Sequence, residues 1–191
     1  EDAQKLQRIV TYLRDTKGRG IQLTPGKSGI VVSGHFDAAY GVHPDGKSHT
    51  GACIMIGDAG PVLAESCRQQ IVTKSSTEAE LVALSDSTNQ LLHMRRFLSA
   101  QGHPQGPATI YQDKMSCMAL QDKGRSTSKR TRHINIRYFW TKEQCDNGEI
   151  TVLHRATELM GAANILTKPT QGAQFRNERY QLTNFCDSND Q

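Results

Sequence analysis

Apolar residues along this chain switch between helical and extended spacing, and the switches divide it into a series of elements. In AQKLQRIVTYLRDTKGRG, Leu6, Ile9, Val10 and Leu13 recur at helical spacing until Gly18 and Gly20 end the pattern. The stretches SGIVVSGHFDAAYG, HTGACIMIG and PVLAESC follow, joined by short links. Their β-branched and apolar residues predict consecutive strands in an antiparallel meander. From Ser75 to Ala100 the chain reads as one long helix, with Leu81, Leu84, Thr88, Leu91 or Leu92, Arg95 and Leu98 along one face. Gly102, Pro104, Gly106 and Pro107 break it. ATIYQD is a short strand ending on Asp113, followed by a helix MSCMALQD and the polar loop KGRSTSKRT. A second helix runs from about His133 to Cys145 and stops at the turn Asp146-Asn147-Gly148. EITVLHRA is the last strand, TELMGAANILTK a core helix and QGAQFRNERYQL a helical extension, while the final CDSNDQ has the composition of a disordered tail. A meander, a helix, then strand, helices, strand and helix is an α/β order, in which crossover helices join the meander to parallel strands.

Composition narrows the class without naming a function. The chain has 191 residues, 36% apolar and 22% charged, enough for one globular domain or a domain with a short extension. No apolar stretch is long enough to span a bilayer, and EDAQKLQRIV lacks the basic start and apolar run of a secretion signal. The expectation is a soluble protein with no membrane partner. Cys53, Cys67, Cys117, Cys145 and Cys186 include no Cys-x-x-Cys pair, so they read as reduced packing residues. The net charge of +4 is modest, but the basic residues cluster in one segment, which points to a polyanionic partner.

Acidic residues fall at informative places in this order. Asp37 ends the first strand, Glu80 lies in the first turn of the long helix, and Asp113 ends the fourth strand. If the first and fourth strands are neighbours, these carboxylates converge. Clustered carboxylates repel one another and persist mainly where they share cations, which suits Mg²⁺ with its preference for hard oxygen ligands. An Asp after a strand also serves as a simple turn residue. In KSSTEAELVAL, both Ser75 with Glu78 and Thr77 with Glu80 match a capping box. Residues two apart on a helix point in nearly opposite directions, so only one glutamate faces a given site. The spacing permits either assignment.

The stretches KSSTEAELVAL, IYQDKMS, KRTRHINIRYFWTKEQCDNGEI and NILTKP, in that order, resemble the ribonuclease H domain that ends the Pol polyprotein of copia-type LTR retrotransposons. The resemblance runs from about Val31 to Phe175, and the leading QKLQRIVTYLRDTKGRGI resembles the junction with reverse transcriptase. It implies a ribonuclease H-like fold: a mixed five-stranded sheet, antiparallel meander plus parallel strands, with helices on its faces. It divides the chain into a helical connection (1–24), the domain (25–170) and a C-terminal helical extension with a tail (171–191). The implied activity is cleavage of the RNA strand of RNA–DNA hybrids by two Mg²⁺ ions, with Mn²⁺ as a substitute. The implied partners are the hybrid and the reverse transcriptase domain of the same polyprotein. The implied location is intracellular, in cytoplasmic virus-like particles.

By this resemblance Asp37 matches the first catalytic aspartate, Glu80 the helix glutamate and Asp113 the next aspartate, which leaves Glu78 for the cap. The fourth carboxylate belongs in Ala-Asp-x-x-Thr-Lys-Pro, and here that stretch is AANILTKP, with Asn164 at the position. Asn164 keeps an oxygen ligand but loses a negative charge, so weaker metal binding and weak or absent cleavage are expected. Gln112-Asp113-Lys114 also departs from the usual Cys-Asp-Asn. An inactive hybrid-binding or tethering module of the same fold is therefore the alternative. KGRSTSKRTRH, residues 123 to 133, supplies Lys123, Arg125, Lys129, Arg130 and Arg132 among hydroxyl residues, a mixture suited to a phosphate backbone. His133 is assigned to substrate contact or structural hydrogen bonding. His154 is assigned to a strand end. Tyr138, Phe139 and Trp140 point in different directions on a helix and are assigned to the core.

Overall fold

A computed structural model describes residues 2–24, 26–27, 29–113 and 132–185, and the side chains among them except those of 132–135. The helix expected at MSCMALQD, the loop KGRSTSKRT and the tail CDSNDQ lie outside the described residues. The elements are α1 (Asp2–Asp15), β1 (Val32–Ala39), β2 (His49–Ile56), β3 (Pro61–Arg68), α2 (Ser76–Ala100), β4 (Ala108–Gln112), α3 (Arg132–Asp146) and β5 (Ile150–His154). A 3-10 turn (Thr157–Leu159), the short helix α4 (Gly161–Asn164) and α5 (Gly172–Thr183) complete the chain.

The five strands form one mixed sheet in the order β3-β2-β1-β4-β5. The meander is antiparallel, whereas β1 pairs with β4 and β4 with β5 in parallel. The first and fourth strands are thus neighbours, as a site at their ends requires.

Alternation along β1 assigns its two faces. Val32, Phe36 and Ala38 face α2, and Phe36 packs in a core with Ile54, Leu81, Leu84, Leu91, Ile110, Tyr138 and Ile150. A fully buried leucine contributes about 2 kcal/mol through burial alone, so the α2 stripe is a main source of stability. Thr88 fits this apolar stripe because its hydroxyl donates to the Leu84 carbonyl at 2.6 Å. Arg95, on the same stripe, donates to Glu149 at 2.8 Å and so ties α2 to the start of β5. The odd positions of β1 face the other way, toward α4 and α5.

Gly51 explains how that second layer comes so close. It sits opposite Asp37 in the β1–β2 register, and a Cβ there would lie 2.6 Å from the Ala163 carbonyl oxygen and 2.6 Å from Thr167 Cγ2. Only a glycine lets the α4 segment settle on the sheet beside Asp37. α5 packs in turn against α4 and β3.

Some expectations need correction. Asp37 lies two residues inside the end of β1, and Asp113 follows β4 rather than closing it. Glu80 opens the second turn of α2, because the helix begins at Ser76. Of the three α3 aromatics, Tyr138 is core and Trp140 packs against it, but Phe139 is 51% exposed: adjacent helical positions diverge, so a run of three cannot all face inward. His154 does end β5. Cys53, Cys67 and Cys145 are free thiols, and burial pushes Cys53 up to about 12. The apolar residues of α1 stay exposed, and its Tyr12 ring meets Phe175 of α5 edge-on at 6.0 Å. None of the described helices is long and apolar enough to cross a membrane.

Candidate active site

The start of α2 decides which glutamate is available. Ser75 is the cap and accepts from the Glu78 amide at 3.2 Å, while the Glu78 carboxylate accepts from the Lys74 amide at 2.7 Å. Glu78 is consumed by the helix start. Glu80, two residues on, points the other way and is 2% exposed.

Asp37, Glu80 and Asp113 meet where the parallel neighbours β1 and β4 end, the usual position of a ligand crevice in open α/β sheets. One carboxylate oxygen from each lies within 4.8 Å of those of the other two. Asp37 and Glu80 are buried and Asp113 is half-buried. A cleft of about 540 Å³ opens over them, lined also by Tyr40, Val42, Ser76 and Lys168.

Neighbouring side chains hold each carboxylate in place. Gln112 of β4 is fully buried and donates to Glu80 Oε2 at 2.7 Å. The Thr157 hydroxyl donates to Asp113 at 3.1 Å. The Thr167 hydroxyl donates to Asp37 Oδ2, and the Lys168 ammonium lies 3.2 Å from the same oxygen. Gln112, Thr167 and Lys168 carry no assignment from sequence reasoning beyond their presence in the family-like motifs. The departure at Gln112 and the Thr-Lys after Asn164 were the available signals, but the contacts are tertiary.

Asn164 is 5% exposed at the end of α4. Its Oδ1 accepts from Lys168 at 2.9 Å, and its Nδ2 donates to Glu178 of α5. The ammonium of Lys168 therefore stands between Asp37 and Asn164, and Asn164 joins the carboxylates through that cation. Lys123, Arg125, Lys129 and Arg130 lie outside the described residues, as do the side chains of Arg132 and His133, whose backbone opens α3.

The donor set fits a hard divalent cation: three carboxylates from separate elements, two of them buried, within the reach of a shared ion. Such a group of negative charges is costly to bury, and a cation bound between them offsets that cost.

No family model matches the chain. The retrovirus-related Pol polyprotein of transposon TNT 1-94 from Nicotiana tabacum is 30% identical over 160 residues, 84% of this chain and 12% of the polyprotein. That of transposon RE1 from Arabidopsis thaliana is 29% identical over 178 residues, 93% of this chain and again 12% of the polyprotein. The chain thus spans about an eighth of these relatives. Among solved structures, a ribonuclease H1 isolated from compost superposes with a TM-score of 0.54 at 14% identity, over 71% of this chain and 91% of that one. The protease-reverse transcriptase of prototype foamy virus superposes with a TM-score of 0.54 at 15% identity, over 75% of this chain and 21% of that one. The chain is therefore a relative of one segment of the retrovirus-related Pol polyproteins of plant transposons, and its fold is that of a ribonuclease H.

Proposed function

We propose that this chain is the ribonuclease H module of a copia-type retrotransposon polyprotein, hydrolysing the RNA strand of RNA–DNA hybrids during reverse transcription. The observation that carries this reading is the convergence of Asp37, Glu80 and Asp113 from β1, α2 and the end of β4. In it, these residues hold Mg²⁺, with Mn²⁺ as a substitute, and Asn164 contributes a neutral oxygen. When bound, two such ions supply a water activated for in-line attack on the scissile phosphate and stabilise the leaving 3′ oxygen. Gln112, Thr157 and Thr167 each hold one carboxylate oxygen in place, which orients the ligands for an ion.

In the same reading, Lys123, Arg125, Lys129, Arg130, Arg132 and His133 grip the phosphate backbone of the hybrid. Residues 1–24 connect to the reverse transcriptase domain of the same polyprotein, 25–170 form the module and 171–191 extend it. The setting is the virus-like particle in the cytoplasm.

A second reading, hybrid binding without cleavage, is favoured by two features. The fourth ligand position is a neutral amide, and the Lys168 ammonium already sits 3.2 Å from Asp37. Strand-resolved cleavage of a labelled RNA–DNA hybrid in Mg²⁺ and in Mn²⁺, beside a DNA duplex, separates the readings. RNA-strand cleavage that disappears in Asp113→Asn supports the enzyme. Hybrid retention without cleavage in either metal supports the binding module. Neither cleavage nor preference for the hybrid rules out both.

A further inference from the structure

Glu178 stands on α5, outside every motif that carries the family resemblance, yet it is 5% exposed and touches Asn164. Its Oε1 accepts from Asn164 Nδ2 and from Gln174 Nε2, the latter at 3.0 Å. Its Oε2 is buried and has no hydrogen-bond partner among the described residues. A buried carboxylate satisfied on one side only is costly and calls for an explanation.

What keeps a carboxylate there, through its Oε1 side, is what an amide at position 164 needs. An asparagine side chain carries an acceptor and a donor end of nearly the same shape, so on its own it presents either end to a given neighbour. The neighbours on its two sides remove that freedom. A carboxylate only accepts, so Glu178 takes the Nδ2 end. An ammonium only donates, so Lys168 takes Oδ1. The oxygen of Asn164 is thereby turned toward the ammonium that also contacts Asp37.

We propose that Glu178 is a positioning residue: it locks Asn164 with its oxygen toward the carboxylate cluster and carries, one side chain further back, the negative charge that position 164 lacks. The proposal rests on the metal-binding reading of Asp37, Glu80 and Asp113. Residues 164 and 178 then act as one unit, with the ligand atom on the first and the charge on the second. Asn164→Asp is accordingly no simple gain of a ligand. It replaces the amide donor by a second acceptor and leaves the contact with Glu178 without a donor.

The test is a double-mutant cycle in the full chain: parent, Glu178→Gln, Asn164→Asp and the double variant, each titrated with Mn²⁺ by calorimetry and each melted without metal. Gln at 178 offers either end of its own amide, so one of the two contacts that orient Asn164 loses its polarity and the half-exposed Lys168 alone remains to hold it. Glu178→Gln is expected to weaken Mn²⁺ binding about tenfold, as loss of an outer partner of a metal ligand does. Asn164→Asp alone is expected to lower the melting temperature, and the double variant to recover it and to bind Mn²⁺ more tightly than either single variant. Additive effects on both melting temperature and affinity overturn the proposal. A fourth comparison keeps the two claims separate: if Asp113→Asn leaves Mn²⁺ binding unchanged, the metal reading fails, and non-additive melting temperatures alone then decide whether 164 and 178 are coupled.

Discussion

Gln112 shows how a single side chain that departs from the family pattern acquires a place in the site. It is fully buried at the end of β4 and donates to Glu80 Oε2, so it fixes which oxygen of Glu80 remains for other partners. Gln112→Leu keeps the volume and removes the donor. It is expected to weaken Mn²⁺ binding about tenfold while the circular dichroism spectrum stays that of the parent. An unchanged affinity would mean that Glu80 is held by packing alone. The preference for Glu80 over Glu78 came from the family resemblance, since both glutamates fit a capping box and only the structure shows that Ser75 is the cap. The contacts of Gln112 with Glu80, Lys168 with Asp37 and Glu178 with Asn164 were not legible in the sequence, since each joins separate elements and no local spacing encodes them.

Between elements, the close approach of α4 to the sheet is what brings Thr167 and Lys168 to Asp37. That approach depends on Gly51, which leaves room for the Ala163 carbonyl and the Thr167 methyl. Gly51→Ala forces this layer outward and is expected to cost about 2 kcal/mol, the usual scale of overpacking, read as a lower urea midpoint at an unchanged slope. The same variant should loosen Mn²⁺ binding, because Thr167 and Asp37 move apart. A stability equal to the parent's would show that the layers separate without strain. The elements themselves were well marked in sequence: the stripe of α2 and the short links of the meander are local signals. The pairing of β1 with β4 was not, because parallel partners are joined through long crossovers that leave no trace in spacing.

For the molecule as a whole, His35 links pH to stability. It points to the face of β1 opposite α2, 7% exposed, and burial, with Arg155 beside it, pushes its pKa down from 6.5 to about 4. Its Nε2 lies 3.3 Å from the Arg155 guanidinium, so the ring accepts there and stays neutral. The unfolded chain takes up a proton at this residue below about 6.5, whereas the folded chain does so only near 4. Stability from this group is complete above the higher value, falls as pH drops between the two, and is lost below the lower one. The full loss is about 3 kcal/mol. In His35→Gln the urea midpoint should fall less between pH 7 and pH 4 than in the parent, and equal falls would assign the acid sensitivity to other groups. The proposed chemistry, metal-assisted hydrolysis, is set at the ends of β1 and β4. It is tested most directly by anomalous diffraction at the manganese edge from crystals grown with Mn²⁺. The account predicts a peak bounded by Asp37, Glu80 and Asp113, and a map with manganese elsewhere, or none at those carboxylates, would contradict it.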